Sequence, residues 1–262
     1  MTDSDLAYLK GWFSDYTKSF YSTDTEDQKN IMVKVDHTEN VCRNILEIAK
    51  ESAISENDTR IAEGVALFHD IGRFPQYARY KTFRDADSVN HGLLGSQTLM
   101  NEKVLDRLPD EEQQIIIQAV RFHGAFSIPG SMNGKTLLFL KLIRDADKVD
   151  IYRVFIEYYE SPGEERASAT AFGVPDTPEC SQAMLSRLLN KQIASYTDIQ
   201  SENDFRLMKL SWIYDMHFDE SVRMLLNRDY LDRIINKLPR TDEVSAAVKS
   251  VREYIAERLG ND

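Results

Sequence analysis

The sequence predicts an all-α protein. Apolar side chains recur at steps of three and four residues through most of the 262 residues, and this period is typical of amphipathic helices. Proline and glycine are scarce, with 7 and 11 residues, which disfavours an all-β fold with many tight turns. The length allows one large domain with a sizeable core. We expect a single domain over 1–262, with its core at about 27–159 and C-terminal helices at about 179–260 packed on that core.

The N-terminal segments have apolar stripes and recognisable helix boundaries. These stripes predict helices over 5–21 and about 27–52. Ser55, with Asp58 three residues later, resembles a capping box that begins a third helix. Gly72 is typical of the residue that ends such a helix.

The rest of the chain alternates between irregular segments and helical periods. The segment 73–87 has no clean period and carries a proline near its start, so we expect a loop there. A second loop is predicted at 125–134, and 160–178 is rich in Pro, Gly, Ser and Thr, as expected of a lid or a connection. The further predicted helices are 88–105, 109–123, 135–159, 179–200, 203–226, 228–238 and 241–259.

Charge and cysteine usage restrict the class of protein. The chain carries 43 acidic and 32 basic residues, for a net charge of -11, and a field of that sign disfavours nucleic acid as a partner. Cys42 and Cys180 are isolated in the sequence, which favours a reducing cytoplasm. No secretory signal pattern is present at the N-terminus, and no apolar run approaches the about 18 residues of a membrane span. We therefore expect a cytoplasmic protein without membrane contact, and an oligomer stays open.

Four of the five histidines form a spaced series with two aspartates. The series is His37, His69, Asp70, His91, His123 and Asp147. It is distributed over five predicted helices, and helices of a bundle can direct such side chains into one cavity. Imidazole and carboxylate ligands suit Fe, Mn or Zn better than Mg, and six ligands are enough for two ions. A pair of divalent ions can activate a water and neutralise charge on a phosphoryl group. The series therefore predicts one or two divalent metal ions as cofactors in the 27–159 core.

Two parts of this series have alternatives. Asp145 and Asp147 lie two residues apart on one predicted helix and point to nearly opposite faces, so only one can enter the site. Asp145 would then be a solvated carboxylate or a supporting one. His91 and His123 could contact a phosphate beside a single ion instead of holding a second ion.

The order of these residues resembles the HD domain superfamily of metal-dependent phosphohydrolases. The resemblance rests on His37, on FHDIGR at 68–73 and on RDADKVD at 144–150, and it covers about 30–155. It implies a helical bundle of the HD type, with Asp147 rather than Asp145 as the last ligand.

The two extra histidines resemble a longer variant of this pattern. They stand in NHGLLGS at 90–96 and RFHG at 121–124, and members with both hold a dinuclear metal centre. The subclass that cleaves cyclic dinucleotides often has a second histidine beside the fourth and a GYP motif. This chain has Gly124 at that position and no GYP, which argues against that subclass.

The resemblance implies cleavage of a phosphate ester or anhydride by metal-activated water. The substrate would be a small phosphorylated anion such as a nucleotide. The catalytic candidates are Asp70, as a metal ligand, Arg73 and Lys148. Arg73 lies next to the ligands and can bind phosphate through two nitrogens. Lys148 matches a lysine common in the family and could steady a phosphoryl oxygen.

The loop that begins with Arg73 alternates basic and aromatic residues. It could clamp an anion and stack on a base, or it could simply be a solvated loop; its other members are Tyr77, Arg79, Tyr80, Lys81, Phe83 and Arg84. Two other functions stay open. One is a mixed-valent di-iron oxygenase of the same superfamily. The other is a non-catalytic ligand-binding module, which predicts a missing ligand, and none is missing here.

Overall fold

The computed structural model describes residues 1–170 and 173–260, and the described residues are helical without any strand, which confirms the all-α prediction. The chain divides into two compact units. The first contains Met1–Ile151 and Ser161–Ala171, and the second contains Tyr152–Glu160 and Phe172–Asp262. The single-domain organisation stays a prediction.

Twelve α-helices account for most of the described residues. They are α1 (Asp3–Lys18), α2 (Thr25–Glu51), α3 (Glu56–Phe68), α4 (Arg73–Tyr80), α5 (His91–Glu102), α6 (Asp110–Phe122), α7 (Gly134–Glu160), α8 (Gln182–Leu189), α9 (Glu202–Ser211), α10 (Asp219–Asn227), α11 (Tyr230–Ile235) and α12 (Asp242–Leu259). None of these helices is long and apolar enough to cross a membrane.

The first unit is built on α2, α3, α5 and α6. In it α2 packs on α3, α3 packs on α6, and α6 packs on α5. The Ser55 side chain caps α3 by accepting from Asp58 N at 3.1 Å, as the sequence predicts. Fully buried apolar residues such as Ile45, Val65 and Ile116 fill the space between the helices. This core fixes the helix ends that carry the polar residues described below.

The segment after Gly72 is a helix rather than the loop predicted over 73–87. Helix α4 begins at Arg73, so Pro75 stands in its first turn, where a missing backbone N–H costs no helical hydrogen bond. Phe74 and Tyr77 are buried and anchor this short helix. Only the residues after Lys81, which has a left-handed backbone with φ 54°, are irregular.

Glycine allows α5 to lie against the turn that follows α3. A Cβ at Gly72 would stand 2.2 Å from His91 O and 2.6 Å from Gly95 N. A Cβ at Gly92 would stand 2.7 Å from Arg121 O on α6. The backbones therefore approach to distances that any larger residue would prevent, and the first residue of α5, His91, is held close to the end of α3.

The second unit contains shorter helices than the sequence predicts. Instead of one helix over 179–200, α8 ends at Leu189 and is followed by Lys191 with φ 54°. Instead of one helix over 203–226, a single 3-10 turn at Trp212–Asp215 separates α9 from α10. The helical period runs through this break, in which Trp212 and Ile213 are buried and the Tyr152 ring packs edge-on against the Trp212 ring at 6.1 Å.

The irregular segment after α7 is only partly described. It has single 3-10 turns at Gly163–Glu165 and Ser168–Thr170. Residues 171–172, within the predicted lid or connection over 160–178, lie outside the described residues. The role of that segment stays a prediction.

Candidate metal centre

The six residues of the predicted ligand series come from five helices or helix ends in the first unit. His37 lies in α2 and Asp147 in α7. His69 caps the end of α3, and His123 caps the end of α6. His91 is the first residue of α5. The structure brings all of them together with Asp70, which follows His69 in the turn between α3 and α4.

One half of this cluster contains His37, His69 and Asp147. The Nε2 atoms of His37 and His69 lie 3.2 Å apart. Asp147 Oδ1 lies 3.1 Å from Nε2 of His37 and 3.8 Å from Nε2 of His69. Both rings are buried, so these three donor atoms face a space from which bulk water is largely excluded. We call this group the first ligand set.

The other half contains His91 and His123. Their Nε2 atoms lie 3.0 Å apart, and both rings are buried. Each Nε2 is 3.6 Å from Asp70 Oδ1. We call this pair, with that oxygen, the second ligand set.

Asp70 lies between the two sets and presents a different oxygen to each. Its Oδ2 is 3.7 Å from His37 Nε2 and 3.8 Å from His69 Nε2, whereas its Oδ1 faces His91 and His123. The side chain is 3% exposed. This is the placement expected of a carboxylate that bridges two cations.

Hydrogen bonds on the far side of each ring fix its orientation. His69 Nδ1 donates to Ala66 O at 2.7 Å, and His123 Nδ1 donates to Val120 O at 2.8 Å. A carbonyl oxygen only accepts, so both protons are on Nδ1. His37 Nδ1 lies 2.7 Å from Asp150 Oδ2, and His91 Nδ1 lies 2.7 Å from Asp85 Oδ2. All four rings therefore direct Nε2 into the cluster, as ligating histidines do.

Burial and hydrogen bonding separate the pKa values of the rings. Burial alone would lower the pKa of His37, but hydrogen bonds to Asp147 and Asp150 outweigh it and raise the pKa to about 9. Burial lowers the pKa of His69 and His91 to about 4. These last two rings are neutral at pH 7 and offer the Nε2 lone pair that a metal ion requires.

The aspartates of the cluster are held in the charged form. Burial raises the pKa of Asp70, but its charged neighbours, with Lys34 the largest contributor and Arg73 beside it, outweigh burial and hold the pKa well below its usual range. The pKa of Asp147 is also lowered, because the hydrogen bond from His37 outweighs the effect of burial. Both carboxylates therefore supply negative charge to the site at pH 7.

The donor atoms fit divalent transition-metal ions. Ligands about 2.1 Å from one ion are about 3.0 Å apart at a right angle and about 3.4 Å apart in a tetrahedron, close to the spacings in both sets. In the second set the Nδ1 atom of each ring has a hydrogen-bonding partner on the far side. The two Nε2 atoms therefore face each other 3.0 Å apart, and this spacing needs a proton or a cation between them. His37, His69 and Asp70 form one group able to hold a metal ion, and Asp70, His91 and His123 form another.

The structure also shows three supporting residues that the sequence interpretation does not include. Lys34 Nζ lies 2.8 Å from Asp70 Oδ2. Because Lys34 stands three residues before His37 on the same helix face, its place near the cluster could have been predicted from the sequence. Asp150 supports His37 and stands three residues after Asp147 on α7. Asp85 supports His91 from the irregular segment, where no periodicity points to it.

Arg73 is engaged in hydrogen bonds within the fold. Its Nη1 donates to Asp85 Oδ1 at 2.8 Å, to Phe83 O at 2.5 Å and to Gln76 Oε1 at 2.9 Å. Its Nε lies 3.4 Å from Asp70 Oδ1. Arg73 is thus placed beside the ligands, as expected, with Nη1 directed at protein oxygens; contact with a substrate stays a prediction.

Other members of the segment after Arg73 are paired with acidic or aromatic side chains. Tyr77 is buried and donates to Asp27 Oδ1 at 3.0 Å, and Lys81 Nζ lies 2.6 Å from Asp27 Oδ2. Arg84 pairs with Asp87 at 3.2 Å. Arg79 lies over the Tyr80 ring at 5.2 Å. Of the aromatic residues, Phe83 is near the cluster, because Lys34 Nζ lies 5.1 Å from its ring centre.

Helix α7 places further charged residues in the interior of the first unit. Lys148 is 8% exposed and Asp145 is fully buried. The burial of Asp145 excludes the solvated alternative for this residue, while Asp147 is the aspartate that reaches His37. Arg144 holds the end of α6 by donating to His123 O at 3.1 Å.

A small cavity of about 270 Å³ adjoins the second ligand set. His91 and Gly124 line it, together with Arg121 and Leu93. A Cβ at Gly124 would stand 3.2 Å from His91 Nε2. A glycine at this position therefore leaves room beside the ligating nitrogen of His91.

The segment that holds the cluster is similar to a known protein family. A family model described as the HD domain matches residues 35–152, which include all six members of the ligand series. No curated protein and no solved structure matches the chain.

Proposed function

Because residues 35–152 of this chain match the family model of the HD domain, we propose that the chain is a metal-dependent phosphohydrolase. The proposed substrate is a phosphate ester or anhydride of a nucleotide or a similar small anion. The observation that carries the proposal is Asp70, a buried carboxylate with one oxygen facing each of two histidine sets. Iron, manganese or zinc suits this nitrogen-rich donor set better than magnesium does.

The ions would be held by the two ligand sets, with Asp70 shared. When bound, divalent ions supply an activated water and neutralise the negative charge that develops on the phosphoryl oxygens. The chain needs no serine or cysteine nucleophile for this reaction. Its own contribution is to fix the orientations of four rings and to keep Asp70 and Asp147 ionised in a buried site.

Lys34 is a further cation placed to bind a substrate phosphate. Its Nζ lies 2.8 Å from Asp70 Oδ2, and its side chain is 15% exposed. An ion on Oδ2 would satisfy that oxygen and leave the ammonium group free to bind a phosphoryl oxygen next to it. The Phe83 ring, 5.1 Å from Nζ, would cover one side of the bound group. Arg73 and Lys148 remain the predicted catalytic cations beside it.

Replacement of Asp70 by Ala tests the proposal. Loss of the bridging oxygens should remove bound metal and abolish phosphate release from a panel of nucleotides and dinucleoside polyphosphates. Metal content is measured on protein purified without chelators. Asp87→Ala is the matched control, because Asp87 is exposed and pairs only with Arg84 among the contacts described. An Asp70→Ala variant that keeps both metal and turnover would refute the assignment.

A second candidate is a mixed-valent di-iron oxygenase. Four histidines and a bridging carboxylate also suit iron that changes its oxidation state, so the donor set alone supports both reactions. The iron-loaded protein should be assayed with and without O₂. Phosphate release that is independent of O₂ supports hydrolysis, and substrate cleavage that requires O₂ supports the oxygenase.

A further inference from the structure

Asp85 contacts His91 of the second ligand set through both of its carboxylate oxygens. It lies in a single 3-10 turn, Asp85–Asp87, between α4 and α5. His91 Nδ1 is 2.7 Å from Asp85 Oδ2 and 2.9 Å from Oδ1, and His91 N lies 3.4 Å from Oδ2. One carboxylate thus receives both the ring N–H and the backbone N–H of a predicted metal ligand.

Two residues of α4 hold this carboxylate in place. Arg73 Nη1 donates to Asp85 Oδ1 at 2.8 Å, and Gln76 Nε2 donates to the same oxygen at 3.0 Å. Gln76 is fully buried, and it also donates to Val89 O at 2.9 Å, so it closes the irregular segment onto α4. The irregular segment is therefore fastened at the point where Asp85 meets His91.

The same arginine reaches the bridging carboxylate. Arg73 Nε lies 3.4 Å from Asp70 Oδ1, the oxygen that faces the second set. Arg73 and Asp85 together therefore contact two of the three members of that set. The contact to Asp70 Oδ2 is made by Lys34 from α2.

The first set is supported in a different way. His37 and its partner Asp150 both lie within long helices, α2 and α7. His69 donates to Ala66 O in its own helix end. The first set is built entirely from helices and helix ends, whereas the second set depends on an irregular segment between α4 and α5.

We propose that Asp85, held by Arg73 and Gln76, is the positioning residue for a second metal ion. On this view the segment 82–90 determines whether the chain holds one ion or two. The inference rests on the metal centre of the proposed function and adds to it an asymmetry between the two ions. Asp85 acts through the orientation of the His91 ring and is not itself a ligand.

The test is a Co²⁺ titration of metal-free protein, followed by absorption spectroscopy and by the metal content after gel filtration. The parent chain should bind two ions per chain. Asp85→Asn keeps the size of the side chain but removes its charge, and it should weaken the second ion about 10- to 100-fold while the first ion stays. The spectrum should then show one binding phase at Co²⁺ concentrations that saturate the first set. Asp85→Glu should restore part of the second phase.

Two variants serve as controls. Asp87→Asn changes an exposed carboxylate in the same turn and should leave both phases unchanged. Asp150→Asn removes the charge of the carboxylate that contacts His37, and it should weaken the binding of the first ion instead. The fold of each variant is checked by circular dichroism and thermal unfolding.

Three results would overturn the inference. They are an unchanged second phase in Asp85→Asn, the loss of both ions from a folded Asp85→Asn variant, and a parent chain that binds only one ion. A parent chain that binds two ions but releases phosphate from no substrate would refute the proposed hydrolysis and leave this inference standing.

Discussion

Gly72 offers a direct test of how the fold builds the metal centre. In Gly72→Ala the added Cβ would stand 2.2 Å from His91 O and 2.6 Å from Gly95 N. Both are backbone atoms of α5, so no side-chain rotation can relieve the contact. The backbone angle at Gly72 is ordinary, with φ -68°. The cost of the substitution therefore comes from packing alone.

The distances allow an estimate of the cost. Contacts of a Cβ below 3.0 Å essentially never occur, so α5 would have to move by most of an ångström. Overpacking in a core costs about 1–3 kcal/mol and occasionally more, and two backbone contacts place this variant at the upper end. We expect a loss of about 3 kcal/mol in the free energy of unfolding, or a fall in Tm of roughly 6–12 °C.

Gly11→Ala is the matched control. Gly11 lies within α1, and a Cβ there would meet nothing within 4 Å. Alanine in a helix interior is more stable than glycine by about 0.5–1 kcal/mol, so this variant should unfold at a slightly higher urea concentration. The two substitutions make the same chemical change and should have effects of opposite sign. A Gly72→Ala variant as stable as Gly11→Ala would refute the packing argument.

Three further predictions concern the site and its surroundings. In Gly124→Ala the new Cβ, 3.2 Å from His91 Nε2, should weaken the second metal ion, and an unchanged Co²⁺ isotherm would contradict this. In metal-free protein, NMR should find His37 titrating near pH 9 and His69 near pH 4. The pKa of His37 is above its unfolded value of about 6.5. Its contribution to the free energy of unfolding is therefore complete below pH 6.5 and disappears as the pH rises through 9. A measured His37 pKa near 6.5 would disprove this prediction. Burial and acidic neighbours such as Glu63 raise the pKa of the Cys42 thiol to about 12, so alkylation by iodoacetamide at pH 8 should be slow until the protein unfolds.

The sequence predicts the long helices of the first unit well, because their apolar periods and their capping residues indicate the same helix boundaries. Helix α2 and helix α7 lie within one or two residues of their predicted bounds. Helix α4 was missed because Pro75 reads as a break, although it stands in the first turn, where a proline is tolerated. The break between α9 and α10 was missed because the helical period runs through it, and no local pattern records the burial of Trp212 and Ile213 in the 3-10 turn.

The ligand series could be found from the sequence because its spacing repeats a known order. The residues that orient the ligands could not be found in the same way. Asp85 supports His91 only because α4 and the 3-10 turn fold back onto α5, and this contact has no local signature. The position of Lys34 beside the cluster could have been predicted, since Lys34 shares a helix face with His37.

The outward hydrogen bonds of the four rings have a consequence for folding. Each ring is fixed by a hydrogen-bonding partner on its far side, and the Nε2 atoms of His91 and His123 lie 3.0 Å apart. Crowding of two ring nitrogens costs free energy when the chain folds, and a cation held between them would relieve it. Ligand binding to the native state alone stabilises it by mass action. Metal loading should thus stabilise the folded chain, and removal of the metal should lower the free energy of unfolding.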